Sequence, residues 1–257
     1  MNRDIIEKLT ALVPDHLTVS EIAVYSHWIT ACSERHGLCC YIPSMPGINL
    51  PAAPVETGNS GKAWEGLIGH KVKDAAKNCL YRPDFLSRSI GMALLNSALP
   101  EPPSVFTGEA QGFYSDRVKN AKTCCIGHFN QASEWRDQGL DVTIIELKPK
   151  PGDVHWDDSE PFLEGADIVF ITGLTLVNDT FETVIERTPN ARERILFGPS
   201  VPFCDLWFDY GITAIGSTRI VKPNETAIFF GNGGTSVSNA PEGSLMKINR
   251  IRGDLCG

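Results

Sequence analysis

Asp167-Ile-Val-Phe-Ile-Thr-Gly-Leu-Thr-Leu-Val-Asn-Asp-Thr-Phe-Glu182 and, a few residues on, Arg194-Ile-Leu-Phe-Gly-Pro-Ser200 read as strand, polar loop, helix, strand and polar loop. Asp167 to Ile171 is an almost unbroken apolar run with three β-branched residues, the pattern of a parallel strand covered on both faces. The run stops at Thr172-Gly173. Phe181, Val184 and Ile185 then fall at i, i+3 and i+4, and Asp179 with Glu182 has the spacing of a capping box, so a helix is expected from there. Ile195-Leu-Phe-Gly198 ends in the same way, on small and hydroxyl-bearing residues. This is the edge at which open α/β sheets bind ligands.

Working outward, residues 123–127, 142–147, 167–171, 194–198, 212–217 and 226–230 read as strands of a doubly wound parallel sheet. The first half has another texture. Residues 4–13 form an amphipathic helix closed by Pro14. Leu17 to Thr30 alternates apolar and polar residues as one antiparallel strand, Glu34 to Gly37 turns, and Leu38 to Ile42 returns. A Pro- and Gly-rich loop over 43–54 follows, then helical patterns from about Ala63 to Leu80 and from about Pro83 to Ala98. The chain is thus expected to be α/β, an α+β domain over 1–110 followed by a parallel-sheet domain over 111–257.

Composition narrows the function. The 42% apolar content is that of a globular protein, and the net charge of −8, without a Lys/Arg cluster, argues against nucleic acid or an anionic membrane as partner. No apolar run reaches the roughly 20 residues of a bilayer span. The N-terminus lacks the apolar core of a secretory signal, so a cytoplasmic location is expected. Of the eight cysteines none forms a C-x-x-C pair, and Cys39-Cys40 and Cys124-Cys125 are vicinal within strand-like runs; reduced core thiols are expected, and no metal site.

The expected strand ends carry Gly127-His128-Phe129, Glu146, Thr172-Gly173, Gly198-Pro199-Ser200 and Gly231-Asn-Gly-Gly-Thr235, and their convergence on one sheet edge is the functional signal. Glycines close turns and let a backbone approach a ligand; His128 is placed to serve as a ligand or an acid/base group. Neither G-x-G-x-x-G nor a P-loop follows the first parallel strand, which sets aside NAD, FAD and P-loop nucleotidase readings. Ser200 lacks a nucleophile elbow.

Thr172-Gly-Leu-Thr-Leu-Val-Asn-Asp-Thr-Phe-Glu182, Gly198-Pro-Ser-Val-Pro202, the Gly231 loop and Ser89-Ile-Gly-Met-Ala-Leu-Leu-Asn-Ser-Ala98 together resemble the heavy-metal chelation domain family. That resemblance implies an enolase N-terminal-like domain joined to a Rossmann-like domain, with a small-molecule site between them. It also implies a role in heavy-metal chelation, or in condensation or hydrolysis of a pterin-, flavin- or siderophore-like compound. Carried over by motif are Asn96, Gly127, Glu146, Thr172, Asn178, Gly198, Pro199, Ser200, Gly233 and Gly234, to which the strand-end reading adds His128 and Gly173. The family's second domain is similar to S-adenosylmethionine methyltransferases, in which an acid ending the second strand holds ribose hydroxyls, the place of Glu146. A non-catalytic protein binding a metal chelate is the alternative reading. The cofactor, turnover and a homo-oligomeric state are left open by the sequence.

Overall fold

The computed structural model describes residues 1–43, 64–103 and 105–253. In the first half, α1 (Arg3–Ala11) is followed by a three-stranded antiparallel sheet of β1 (Glu21–Val24), β2 (Trp28–Cys32) and β3 (His36–Cys40), and then by α2 (Val72–Leu80) and α3 (Phe85–Ala98). The single strand expected over 17–30 is a hairpin instead: the Tyr25 amide donates to Trp28 O across Ser26-His27. An alternating pattern runs unchanged through a tight turn, so periodicity alone does not reveal the reversal. The helix expected from Ala63 begins only at Val72, because Gly69 at φ +83° and a short 3-10 turn over Glu65–Leu67 precede it. Most of the 43–54 loop lies outside the described residues.

Helix α3 is nearly all buried, and its start is fixed by Asp84, whose carboxylate accepts from the Ser87 amide at 2.7 Å. Strand β3 lies directly on it. A Cβ at Gly37 would overlap the backbone at Ala93 and Ser97, so only glycine permits this approach.

The second half supplies β4 (Phe106–Thr107), α4 (Ser115–Val118), β5 (Thr123–Ile126), α5 (Asn130–Asp137), β6 (Val142–Glu146), β7 (Val154–His155), α6 (Glu160–Glu164), β8 (Ile168–Thr172), α7 (Leu174–Val177), α8 (Phe181–Arg187), β9 (Glu193–Phe197), β10 (Ala214–Ile220), α9 (Pro223–Gly231) and β11 (Leu245–Ile251). These strands form one sheet in the order β4-β11-β10-β9-β8-β5-β6-β7. From β7 to β10 neighbours are parallel; β11 and β4 close the edge antiparallel. The chain winds outward from β5 through β6 to β7, then crosses back to β8 and winds the other way. The order therefore reverses between β5 and β8, the point at which doubly wound sheets open a crevice.

Two expectations fail here. Residues 226–230 are helical, not a strand: Pro223 sits in the first turn of α9, and a short apolar run such as Ala227-Ile-Phe-Phe230 does not by itself separate helix from strand. Asp179 does not cap α8; it lies at φ +64° and its carboxylate pairs with Arg88 at 2.5 Å and with the Met1 amino group, while Glu182 accepts from the Asn2 amide. The capping-box pair is used to hold the first helix instead.

One apolar core runs through both halves, from Ile5, Leu9 and Leu94 to Val169, Leu196 and Trp207, beside further buried clusters around Phe170 and around Trp28 and Phe230. Polar ties cross with it: Trp28 Nε1 donates to Gly234 O at 2.9 Å and the Cys40 amide to Ser200 Oγ at 3.0 Å. Among the described residues no helix is long and apolar enough to cross a membrane.

Candidate functional site

At the reversal point Gly127 follows β5 at φ +102°, its amide donating to Ile145 O, with Thr172 close against the space where a side chain would stand. The turn aims the next amide sideways, and His128 N donates to Glu146 Oε1 at 2.7 Å. The ends of β5 and β6 are thereby stapled together by one carboxylate oxygen. The His128 ring is held on both sides, Nδ1 to Asp153 Oδ2 at 3.0 Å and Nε2 to Ser133 Oγ at 2.9 Å. Asp153, its side chain fully buried, also accepts from Arg136 at 2.8 Å and from the Lys150 amide at 3.0 Å. Burial alone would raise the Asp153 carboxyl, but the hydrogen bonds from His128, Arg136 and the Lys150 amide hold it below its ordinary value. Asp153 thus fixes the imidazole from one side while Ser133 meets its other nitrogen, and the ring lies in the wall of the cleft described next.

Two cavities adjoin along this edge. The first, about 380 Å³, straddles the reversal point; Ile126, Ile145, Leu147, Trp156 and Phe197 give it apolar walls, and Glu146, Thr172, Thr175, Asn178 and Thr180 give it polar ones. The short helix α7 sets these groups: Thr175 Oγ1 donates to Thr172 O at 2.8 Å, and Asn178 Oδ1 accepts from the Thr180 amide and hydroxyl. The second cavity, about 430 Å³, lies over the ends of β9, β10 and β11 and reaches the start of α5. His128, Phe129, Phe197, Gly198 and Pro199 line both. Gly198, at φ +114°, makes the turn between them.

Of the residues expected at the site, Gly127, His128, Glu146, Thr172, Asn178, Gly198 and Pro199 therefore meet at the cavities. The others do not line either. Gly173 is packed under Val201 with its amide donating to Phe197 O at 2.8 Å. Ser200 is buried and spends its hydroxyl on the Cys40 amide. Asn96 donates to Leu38 O at 2.9 Å and Pro199 O at 3.3 Å, bracing the site from behind beside a cavity of about 30 Å³. Gly233 and Gly234 end α9, where Gly234 fits beneath the Phe229 ring and accepts from Trp28. Gln111, Asn249, Thr175 and Thr180 line the cavities without having been singled out by sequence. Thr175 and Thr180 lie within the quoted Thr172–Glu182 motif, whereas Gln111 and Asn249 carry no local pattern and are joined to the site only by the antiparallel edge.

The family model described as "Putative heavy-metal chelation", DUF364, matches residues 110–248, and a second model of the same description, DUF4213, matches residues 6–99. The chain belongs to the DUF364 family. A DUF364 protein of unknown function from Desulfitobacterium hafniense has the same fold, with a TM-score of 0.80 at 22% identity, covering 97% of this chain and 98% of that one. Another, from Pyrococcus horikoshii, gives a TM-score of 0.71 at 13% identity over 96% and 98%. An uncharacterised protein of Methanocaldococcus jannaschii is 28% identical over 159 residues, 57% of this chain, and the match spans 60% of that relative's length.

The DUF364 description raises the question of a bare metal ion, and the donor set does not fit one. Among the described residues no group of three or more His, Cys, Asp or Glu side chains is gathered to hold a cation. Thiols bind as thiolates, yet burial pushes Cys79 up to about 11 and Cys39, Cys40, Cys124 and Cys204 up to about 12.

Proposed function

We propose that the two adjoining cavities form one site for an organic, chelator-like ligand, which brings any heavy metal as a chelate and not as a free ion. The observation that carries this reading is the pairing of two partly apolar cavities, about 430 and 380 Å³, that share the lining residues His128, Phe129, Phe197, Gly198 and Pro199, with the absence of a cation-holding cluster among the described residues. Such volumes suit a small molecule of drug or cofactor size. Glu146 is the anchor: one oxygen is tied to the His128 amide, and the carboxylate lines the smaller cavity at the end of β6, where a ligand's vicinal hydroxyls or ring N–H groups would meet it. Ribose, pterin-, flavin- and siderophore-like compounds all carry such donors.

Turnover by condensation or hydrolysis is a second reading, favoured by the same residue, because a cavity-facing carboxylate oxygen can also take a proton. The test is to identify by mass spectrometry what co-purifies with the protein, then to titrate that compound, metal-loaded and metal-free, into apo protein. The reading expects an organic molecule with hydroxyl or N–H donors; stoichiometric binding of free metal ion with no organic component would refute it. Conversion of the compound during incubation would favour turnover.

A further inference from the structure

Gln111 is only 8% exposed, lines the larger cavity, and its side-chain amide has no hydrogen-bond partner among the described residues. Its polar atoms open onto the cavity, so both ends of the carboxamide are available to whatever fills that space. Its surroundings are finished with more care. Asn249, 3% exposed, donates through Nδ2 to Gly108 O at 2.7 Å, which fixes its amide and sets Oδ1 over Gly216. A Cβ at Gly216 would stand 2.8 Å from that oxygen and 3.3 Å from Phe197, so the strand floor is kept bare. Phe129 and Phe197 meet edge to face at 4.8 Å and supply ring surface to the cavity.

Charge narrows the ligand further. Lys247 is paired with Glu109, His128 is committed to Asp153 and Ser133, and Glu134 bonds Gln131. No cation lining this cavity is left for an anion. We propose that the cavity is a subsite for an uncharged, flat heterocycle with a lactam edge, which offers an N–H and a C=O side by side and so satisfies both ends of the Gln111 carboxamide. The subsite deepens the proposed cleft function and rests on it, placing the ring of the ligand here and its donor-bearing arm at Glu146.

The test uses hypoxanthine and uracil, lactam-edged bases without a sugar, and benzimidazole, a flat ring without that edge, followed by calorimetry and ligand-observed NMR on the full chain. The lactam bases should bind at least about tenfold more tightly than benzimidazole, and Gln111→Leu should abolish that difference. Gln111→Leu should leave the melting temperature of the free protein unchanged or raised, since no bond is lost, whereas a structural role for Gln111 would lower it. The subsite is overturned if no lactam base binds up to its solubility, or if Gln111→Leu binds them as the parent does. Sensitivity to Glu146→Gln in place of Gln111→Leu would move the ring to the smaller cavity and leave the cleft reading standing. A co-purified ligand indifferent to Glu146→Gln and to Gln111→Leu would remove both.

Discussion

Glu146 ties one oxygen to the His128 amide, and in the proposed site it offers its charge to the ligand; substitution can separate the two. Glu146→Gln keeps an Oε1 for the His128 amide, so the loop should persist, while the charge is lost to the ligand; the co-purifying compound should bind about 1.5–3 kcal/mol more weakly, read by calorimetry, with the melting temperature little changed. Unaltered affinity would leave Glu146 with only its loop duty. Asp153 and Asp179 predict a pH effect. Both carboxyls lie below their ordinary value in the folded protein: burial would raise each, and His128 with Arg136 at Asp153, and Arg88 with the amino terminus at Asp179, overcome it. A lowered folded pKa gives stability that is present above the unfolded value, about 3.9, and lost as pH falls through the folded one. Urea midpoints from pH 7 to pH 3 should therefore drop at the acid end, and Asp153→Asn should start lower and drop less. An equally steep fall in that variant would assign the acid loss to other groups.

Among the elements, β3 and α3 hold the first half to the site. Gly37→Ala would force a methyl into the α3 backbone, and a cost of about 2–3 kcal/mol or more is expected from overpacking, measured by chemical denaturation. Asn96, one turn from the end of α3, ties Leu38 and Pro199 together; Asn96→Ala should cost about 1–3 kcal/mol of stability by leaving two carbonyls short of a donor. A loss of ligand affinity at unchanged stability would restore a direct binding role for Asn96. The element-level reading of sequence succeeded where long-range order and local pattern agree, as at β5, β6, β8 and β9. It failed at α9, where an apolar run suited to either state is decided by Pro223 and by packing of Phe230 on Trp28, with ring centroids 5.1 Å apart.

For the whole molecule, the continuous core from Ile5 to Trp207 predicts one cooperative unfolding transition and not two, since neither half can lose its packing without exposing the other's. Calorimetry checks this: two resolved transitions, or a stable isolated segment 1–110, would show that the halves are energetically separate. The seven cysteines among the described residues are all free. Unfolding without reductant should release eight titratable thiols, counting Cys256, while the native protein should react slowly because most of the thiols are buried and pushed far above neutral pH.

Apolar patterning and turn residues determined the parallel strands, the edge where their ends converge, and the presence there of Gly127, Glu146, Thr172 and Gly198, because a buried parallel strand needs a continuous apolar run and must end on residues that tolerate a turn. What a residue does with its polar atoms was decided only in three dimensions. His128 is held by Ser133 and Asp153, Ser200 accepts from the amide of Cys40 some 160 positions away, and Asp179 abandons its helix for Arg88. Gln111 and Asn249 enter the site because β11 folds back antiparallel on β10. Hydrogen bonds between residues distant in sequence leave no local periodicity, so the identity of a site residue was readable from the chain while its engagement was not.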